Sequence, residues 1–552
     1  MNSPRTVIIG VDGATFGLIE PLVQAGHLPA LGRLMARGVC GPLQAWPNMN
    51  SAVAWSSMVT GYNPGQHGIF HFGEAPPQRG TKWRPITAGD RNKDPFWRLL
   101  SSAGQRVGVI NVPMSYPADA VNGFMLAGMD APGVHSSGFA HPTDLLDDLR
   151  HRGIDYVLDV PNLGVLSGRD PHRLPLPVQR MVDVRARTIL YLMQSRQWDV
   201  LMAVFVGTDR MQHFFWPDGH AGVDDPDWAP IRSVYQQIDS FIMETLELVG
   251  ANTAVLVVSD HGFGPSHAAS GCLNRLFARL GLLRYRQGSN RLTGRLLRNL
   301  LQYGRRIIPL RFQDPLARAF AGLWLRAVNE GVYSSIEWSQ TRVFAATFGR
   351  VFINLQGRQP EGTVSPEDYH PLRERVRDVL LNLTDPDTGR RVVRAVHWAE
   401  DLFYGPYLKQ APDLVIEWDE ELLGRPWCYL AGGRPIIIQA PERIGYAGRV
   451  TGSHRSHGVF IACGPHIKPG GTVLSATLYD IAPTILYLQG HPIPKDMDGR
   501  VLTDIFTQEH LRRHPVQQVE PPSIEPRAAV PELDANDARK IEERLRGLGY
   551  ID

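Results

Sequence analysis

Five short runs of apolar, β-branched residues set the frame for this chain, and each stops at a polar cluster. They are Thr6–Val11, Arg106–Val112, Val200–Gly207, Thr253–Ser259 and Gly458–Cys463. Their apolarity is continuous rather than alternating, which is the pattern of strands buried on both faces. Helical patterns lie between them, at Pro29–Arg37, Pro95–Ala103 and Val182–Gln194. The alternation predicts an α/β core with a largely parallel central sheet flanked by helices. At 552 residues the chain exceeds one ordinary domain, and 43% apolar against 20% charged residues is enough to pack a large core.

Two regions break the alternation. Residues 271–330 carry 12 Arg and no Lys against Asp314 and Glu330, a local charge of 12 − 2 = +10 in a chain of 57 − 55 = +2. Residues 346–420 read as a smaller α+β unit, with strands near Val351–Leu355 and Asp413–Trp418 and a helix near Tyr369–Leu383. The expected division is therefore a first core part (1–270), an inserted Arg-rich helical and small α+β cap (271–440), a second core part (441–514), and a tail (515–552). The tail has five prolines between Pro515 and Pro531, as a linker would. Ala538, Ile541, Leu545 and Leu548 then sit at helical spacing, with Gly547 and Gly549 able to end a docking helix.

Composition excludes several classes. A net charge of +2 argues against nucleic-acid coating by the whole chain. The four cysteines (Cys40, Cys272, Cys428, Cys463) form no C-x-x-C pair, so neither a zinc ribbon nor a disulfide scaffold is expected. The opening MNSPRTVIIGVDG reads as neither a signal peptide nor a span, and no run of 18 apolar residues follows. A reduced, cytoplasmic setting is the expectation.

The chemistry gathers at strand ends. Asp12, Asp209 and Asp260 lie within two positions of the ends of expected buried strands. Open α/β sheets bind ligands there, and three converging carboxylates repel unless a cation neutralises them. Asp209 precedes His213 by four residues, one helical face. Asp260 is followed by His261, and His454 stands just before the last core strand. An Asp at a strand end also serves simply as a helix cap or turn residue, but three of them, accompanied by three histidines, point to a two-metal site. Mixed nitrogen and oxygen donors suit zinc, manganese or iron better than calcium. The hydroxyl-rich stretch from Pro47 to Gly68 offers serines that either cap a helix or, beside metals, act as nucleophiles.

An ordered set of motifs resembles the alkaline phosphatase superfamily, in particular its type I phosphodiesterase/nucleotide pyrophosphatase branch. The set runs Gly10-Val-Asp-Gly13, Trp55, Met58-Val-Thr-Gly61, Pro64-Gly-Gln-His-Gly68, Gly207-Thr-Asp-Arg-Met-Gln-His-Phe-Phe-Trp216 and Ser259-Asp-His-Gly-Phe263. It continues through Gly452-Ser-His-Arg455, Asp480-Ile-Ala-Pro-Thr-Ile-Leu486, Asp498-Gly-Arg500 and the terminal Leu548-Gly-Tyr550. The resemblance implies that Asp209, His213 and His454 hold one metal, and that Asp12, Asp260, His261 and the nucleophile hold the other. It places the nucleophile four residues before the tryptophan, which is Ser51 counted from Trp55. Val53 stands where the family commonly has Pro, and Ala54 where the nucleotide pyrophosphatases have an Asn that holds a phosphoryl oxygen. The sulfatase signature is absent.

The implied reaction is hydrolysis of a phosphate diester, or of a nucleotide pyrophosphate-type bond, through a phosphoseryl intermediate on Ser51. Two divalent cations, zinc first among the candidates, would stabilise the entering and leaving oxygens. The alternatives are a phosphomonoesterase, a phosphonate monoester hydrolase or a phosphoryl transferase of the same superfamily, and a non-catalytic metal-binding protein. The expected partner is an anionic phosphate-ester small molecule. Arg295, Arg298, Arg305 and Arg306 interleave with leucines and isoleucines, which suits either a solvated structural cap or attraction of an anionic substrate or membrane surface.

Overall fold

The computed structural model describes residues 4–47, 49–73, 84–160, 175–217, 222–266, 269–286, 335–422, 426–438, 451–522, 533–548 and 550. Arg295, Arg298, Arg305 and Arg306 lie outside the described residues, as does most of the Arg-rich stretch.

The expected core strands all form. β1 (Arg5–Val11) is central, β2 is Val39–Gln44, β3 Val107–Ile110, β4 Gly123–Leu126, β5 Ala140–His141, β6 Val200–Phe205 and β7 Thr253–Val258. β1 lies between β6 and β7 and is parallel to both, with Val11 opposite Phe205 and Gly10 opposite Val258. That register brings the carboxyl ends of the three strands to one edge, where Asp12 and Asp260 follow at once. β3 and β4 extend the parallel run beyond β6. The side chains of β1, β6 and β7 are buried almost throughout, which is why their sequences show no alternation.

Three details differ from the sequence reading. β16 (His457–Cys463) runs antiparallel to both β7 and β2. β2 was hidden by Gly41 and Pro42, which break the β pattern locally. β6 is shorter than expected, because Gly207 opens the helix Gly207–Phe215 and Asp209 sits in its first turn. β17 (Gly471–Thr472) and β18 (Ala476–Thr477) complete the sheet beside β2.

A second sheet has its own core. It takes the order β11 (Val393–Trp398), β12 (Leu414–Trp418), β10 (Arg350–Ile353), β9 (Val343–Ala346), all antiparallel. The helix Pro366–Leu381 buries Leu372, Val376 and Leu380 in the same cluster as Val351, Ile353, Leu414 and Ile416. A hairpin of β13 (Trp427–Ala431) and β14 (Arg434–Ile438) adds Trp427 and Ile438 to it. β8 (Gly262–Pro265) pairs antiparallel with β15 (Gly452–Arg455), and this ribbon leads into β16.

The start of the proline-rich tail is more ordered than a linker. β20 (Gln518–Val519) pairs with β19 (Ile493–Pro494), and the Lys495 amide donates to the Val519 carbonyl at 2.9 Å. The last helix, Ala535–Gly547, is capped by Asp534 and buries Ile541 and Leu545, with Leu548 beyond it, in the main core. Among the described residues, no helix is long and apolar enough to cross a membrane.

Candidate active site

The helix Ser51–Thr60 begins at the site. Asn50 caps it through Oδ1, which accepts from the Ala52 amide at 3.1 Å, and Gly61 ends it in the left-handed region at φ 77°. All ten helix residues are buried. Ser51 Oγ lies 3.3 Å from His261 Nε2. One turn further, Trp55 Nε1 donates to Asp12 Oδ2 at 3.2 Å.

The seven residues singled out from the sequence converge. Asp209 Oδ1 lies 3.2 Å from His213 Nε2 and 3.4 Å from His454 Nε2. His261 Nε2 lies 3.3 Å from Asp260 Oδ2 and 3.6 Å from Asp12 Oδ1. The His261 and His454 rings stack with centroids 3.5 Å apart. Six of the seven are essentially inaccessible, and His213 alone keeps a partly exposed edge. His454 reaches its place because Gly452 passes hard against the helix before it: a Cβ there would sit 2.2 Å from the Gln212 carbonyl oxygen.

The hydrogen bonding of the three imidazoles tests whether a cation fits. Nδ1 of His213 faces the Gly452 carbonyl at 3.1 Å, that of His454 the Met49 carbonyl at 2.6 Å, and that of His261 the Gly262 carbonyl at 3.0 Å. A carbonyl only accepts, so each Nδ1 carries a proton and Nε2 is the ring atom turned inward, where the neutral tautomer offers a lone pair to a cation. His213 Nε2 and His454 Nε2 then face each other at 3.1 Å. Asp12 Oδ1, Asp209 Oδ1 and Asp260 Oδ2 are buried and accept no hydrogen bond. Converging lone pairs and orphaned carboxylate oxygens are the electronic complement of divalent cations.

Two overlapping groups have the spacing of a ligand set. They are Asp209 with His213 and His454, and Asp12 with Asp209 and His261. Asp209 belongs to both, so it lies between the two clusters, while Asp260 approaches the second through His261.

Charge repulsion marks the same place. Burial, and then the charges of Asp260 and Asp209, push the Asp12 carboxyl well above its usual range. Burial and the Asp209 charge raise Asp260 to about 7. Asp209 goes the other way: against the upward push of burial, His213, His454 and Arg210 hold it well below the usual range. Burial lowers both His261 and His454. Without a cation the three carboxyls therefore differ in acidity, Asp209 giving up its proton more readily than Asp12 or Asp260.

Sequence reasoning missed Arg210, Asp159 and Phe348, among others. Arg210 donates to Asp209 Oδ2 at 2.6 Å and is held from behind by Asp159 at 2.9 Å, both fully buried. Arg210 and Asp159 gave no separate signal, since charged residues of these types are ordinarily solvated. Phe348, at φ 60°, stacks on His454 with centroids 4.8 Å apart, and its strained backbone is invisible in sequence. Beside the Ser51 helix, Pro47, Asn50, Val53, Phe70, Phe348 and Phe403 line a recess that Arg350 borders.

Comparisons with known proteins bear on the fold and the family. Phosphonoacetate hydrolase from Sinorhizobium meliloti 1021 is similar in structure, with a TM-score of 0.50 at 14% identity, covering 88% of this chain and 95% of that one. Human ectonucleotide pyrophosphatase/phosphodiesterase 5 gives a TM-score of 0.47 at 12% identity over 91% and 100% of the two chains. No curated protein matches the chain in sequence. The sequence pattern named type I phosphodiesterase / nucleotide pyrophosphatase matches residues 6–423. The chain thus belongs to that family of phosphodiester- and pyrophosphate-cleaving hydrolases.

Proposed function

We propose that the protein is a two-metal phosphodiesterase in which Ser51 attacks phosphorus and carries the phosphoryl group as a phosphoseryl intermediate. The observation that carries this reading is the pair of inward imidazole nitrogens at 3.1 Å, His213 Nε2 and His454 Nε2, beside Asp209 Oδ1 in a protein of this family. When bound, divalent cations (zinc first among zinc, manganese and iron) supply Lewis acidity for the entering and leaving oxygens. Asp209, His213 and His454 would hold one cation; Asp12, Asp260, His261 and Ser51 would hold the other.

The rest of the chemistry belongs to the chain. Ser51 heads a ten-residue helix, so an anionic phosphoryl group at its Oγ lies at the positive end of that helix. Asn50 Nδ2 is buried with no partner, next to the nucleophile and on the wall of the recess. A phosphoryl oxygen supplies the acceptor it lacks, the task that Ala54 has no side chain to perform. The recess beside it is walled by aromatic and apolar side chains together with Arg350.

A panel of bis-(p-nitrophenyl) phosphate, p-nitrophenyl phosphate, a phosphonate monoester and a sulfate ester tests the reading, before and after chelation. Diester turnover that chelation abolishes and zinc or manganese restores supports it. Full turnover by protein shown to be metal-free by elemental analysis overturns it.

A further inference from the structure

The C-terminal segment brings into the site a residue that the reaction above does not use. Tyr550 is 2% exposed, and its hydroxyl lies 3.3 Å from Ser51 Oγ, 3.1 Å from Asp209 Oδ2 and 3.1 Å from Arg210 Nη1. Arg210 only donates, so the phenolic oxygen accepts from it. The single phenolic hydrogen then has two acceptors within reach, Asp209 Oδ2 and Ser51 Oγ. Asp209 Oδ2 is thereby held by Arg210 and Tyr550, which turns Oδ1 toward His213 and His454.

The tyrosine is firmly placed. Its ring packs on Phe72 with centroids 4.8 Å apart, and the Arg210 guanidinium lies 5.4 Å from the ring centre. Arg544, one turn before Leu548, donates to the carbonyls of Met129, Ala131 and Pro132. Leu545 and Leu548 are buried in the main core. A segment tied this way is part of the site's wall, in contrast to a loosely resting plug.

We propose that Tyr550 is a positioning residue of the active site: its hydroxyl, delivered by the C-terminal helix, orients the Ser51 oxygen and the outer oxygen of Asp209. When Ser51 is ionised for attack, its oxygen becomes the stronger acceptor, and the phenolic hydrogen turns to it from Asp209. The inference rests on the two-metal reading of the same site, and its test includes a measurement that needs no turnover.

The experiment compares full-length wild type, Tyr550→Phe and Leu545→Val. Phenylalanine keeps the ring packing and removes the hydroxyl; valine loosens the docking and keeps the hydroxyl. Zn²⁺ and Mn²⁺ are titrated separately into metal-free protein, and kcat and KM are measured on the metal-loaded protein with the best ester of the panel. Loss of a partner that orients a metal ligand is worth about 10–100-fold in metal affinity or activity. Tyr550→Phe is expected to lose that factor in metal affinity and in kcat, with KM little changed, while Leu545→Val lowers the melting temperature and spares both. Unchanged affinity and kcat in Tyr550→Phe, a raised kcat, or an equal loss in Leu545→Val overturns the proposal. If wild type hydrolyses no ester, the diesterase reading fails, and the metal titration alone decides for or against Tyr550.

Discussion

Trp55 Nε1 donates to Asp12 Oδ2 across 3.2 Å, and both side chains are fully buried. Ser51 and Trp55 are four residues apart on one helix, so the turn that presents Ser51 also fixes a carboxylate. Asp12 Oδ2 is taken by the indole, which leaves Oδ1 to face His261. The fit is close on the other side too: a Cβ on Gly10 would lie 2.6 Å from Trp55 Cη2. The tryptophan that locates Ser51 in the sequence thus has a physical reason to stand at that distance from it.

Replacing Trp55 by Phe removes the donor and keeps most of the bulk. The freed Asp12 oxygen loses its indole N–H donor, and metal binding on the Asp12 side should weaken by about 10–100-fold. Manganese titration of the metal-free variant should show one site weakened and the Asp209–His213–His454 site near its original affinity. Two sites of unchanged affinity would show that the indole does not orient Asp12.

Ser51→Ala should reduce diester turnover to the level of the chelated protein, while the fold and metal binding on the His213 side persist. The missing hydroxyl also removes the point of phosphorylation. Acid-quenched wild type mixed with substrate should carry phosphate on the Ser51 peptide by mass spectrometry, and the alanine variant none. Ser51→Thr should keep activity at a reduced rate, since either hydroxyl can attack and the extra methyl must enter a fully buried position.

Metal removal should make stability pH-dependent in a definite direction. The Asp260 carboxyl rises from an ordinary 3.8 to about 7 through burial and the Asp209 charge, and Asp12 moves the same way. A carboxyl with a raised pKa holds its proton better folded than unfolded. The contribution of these two carboxyls to the metal-free fold therefore falls as pH climbs from about 3.8 to about 7, while the lowered His261 and His454 oppose it up to the ordinary imidazole range. Asp209, shifted downward, makes its change below that window. Thermal melts of chelated and metal-loaded protein should diverge between pH 5 and 8, with the gap widest at the alkaline end. Asp260→Asn should flatten the slope of the chelated protein.

The sequence carried what depends on local pattern. β1, β6 and β7 were legible because strands buried on both faces leave unbroken apolar runs, and Asp12, Asp260, His261 and His213 lie at short, fixed offsets from those runs or from one another. β2 was not legible, since Gly41-Pro42 interrupts the pattern that only pairing with β16 restores. Arg210 and Asp159 were hidden for a different reason: each looks like a surface charge until the fold buries the two against each other. Tyr550 stands 499 positions from Ser51, and no periodicity reports a contact of that separation. The unpartnered amide of Asn50 was not legible either, since the sequence shows a residue fit to cap a helix and only the fold buries its Nδ2 next to Ser51.

Asn50 separates two roles that one side chain performs, and a substitution can divide them. Its Oδ1 caps the Ser51 helix by accepting from the Ala52 amide, and its Nδ2 is buried with no partner beside Ser51. Serine is about as good a cap as asparagine, so Asn50→Ser should keep the melting temperature close to wild type, whereas Asn50→Ala should lose about 1 kcal/mol. Neither variant retains the amide. If Nδ2 donates to a phosphoryl oxygen as charge develops there, both should lose about a hundredfold in kcat, the usual effect of deleting one such donor. The decisive comparison is Asn50→Ser: a stable protein with poor turnover assigns the amide to the reaction. A stable protein with wild-type kcat shows that Asn50 serves the helix alone, and that the phosphoryl oxygens are held by the metals and the helix N-terminus.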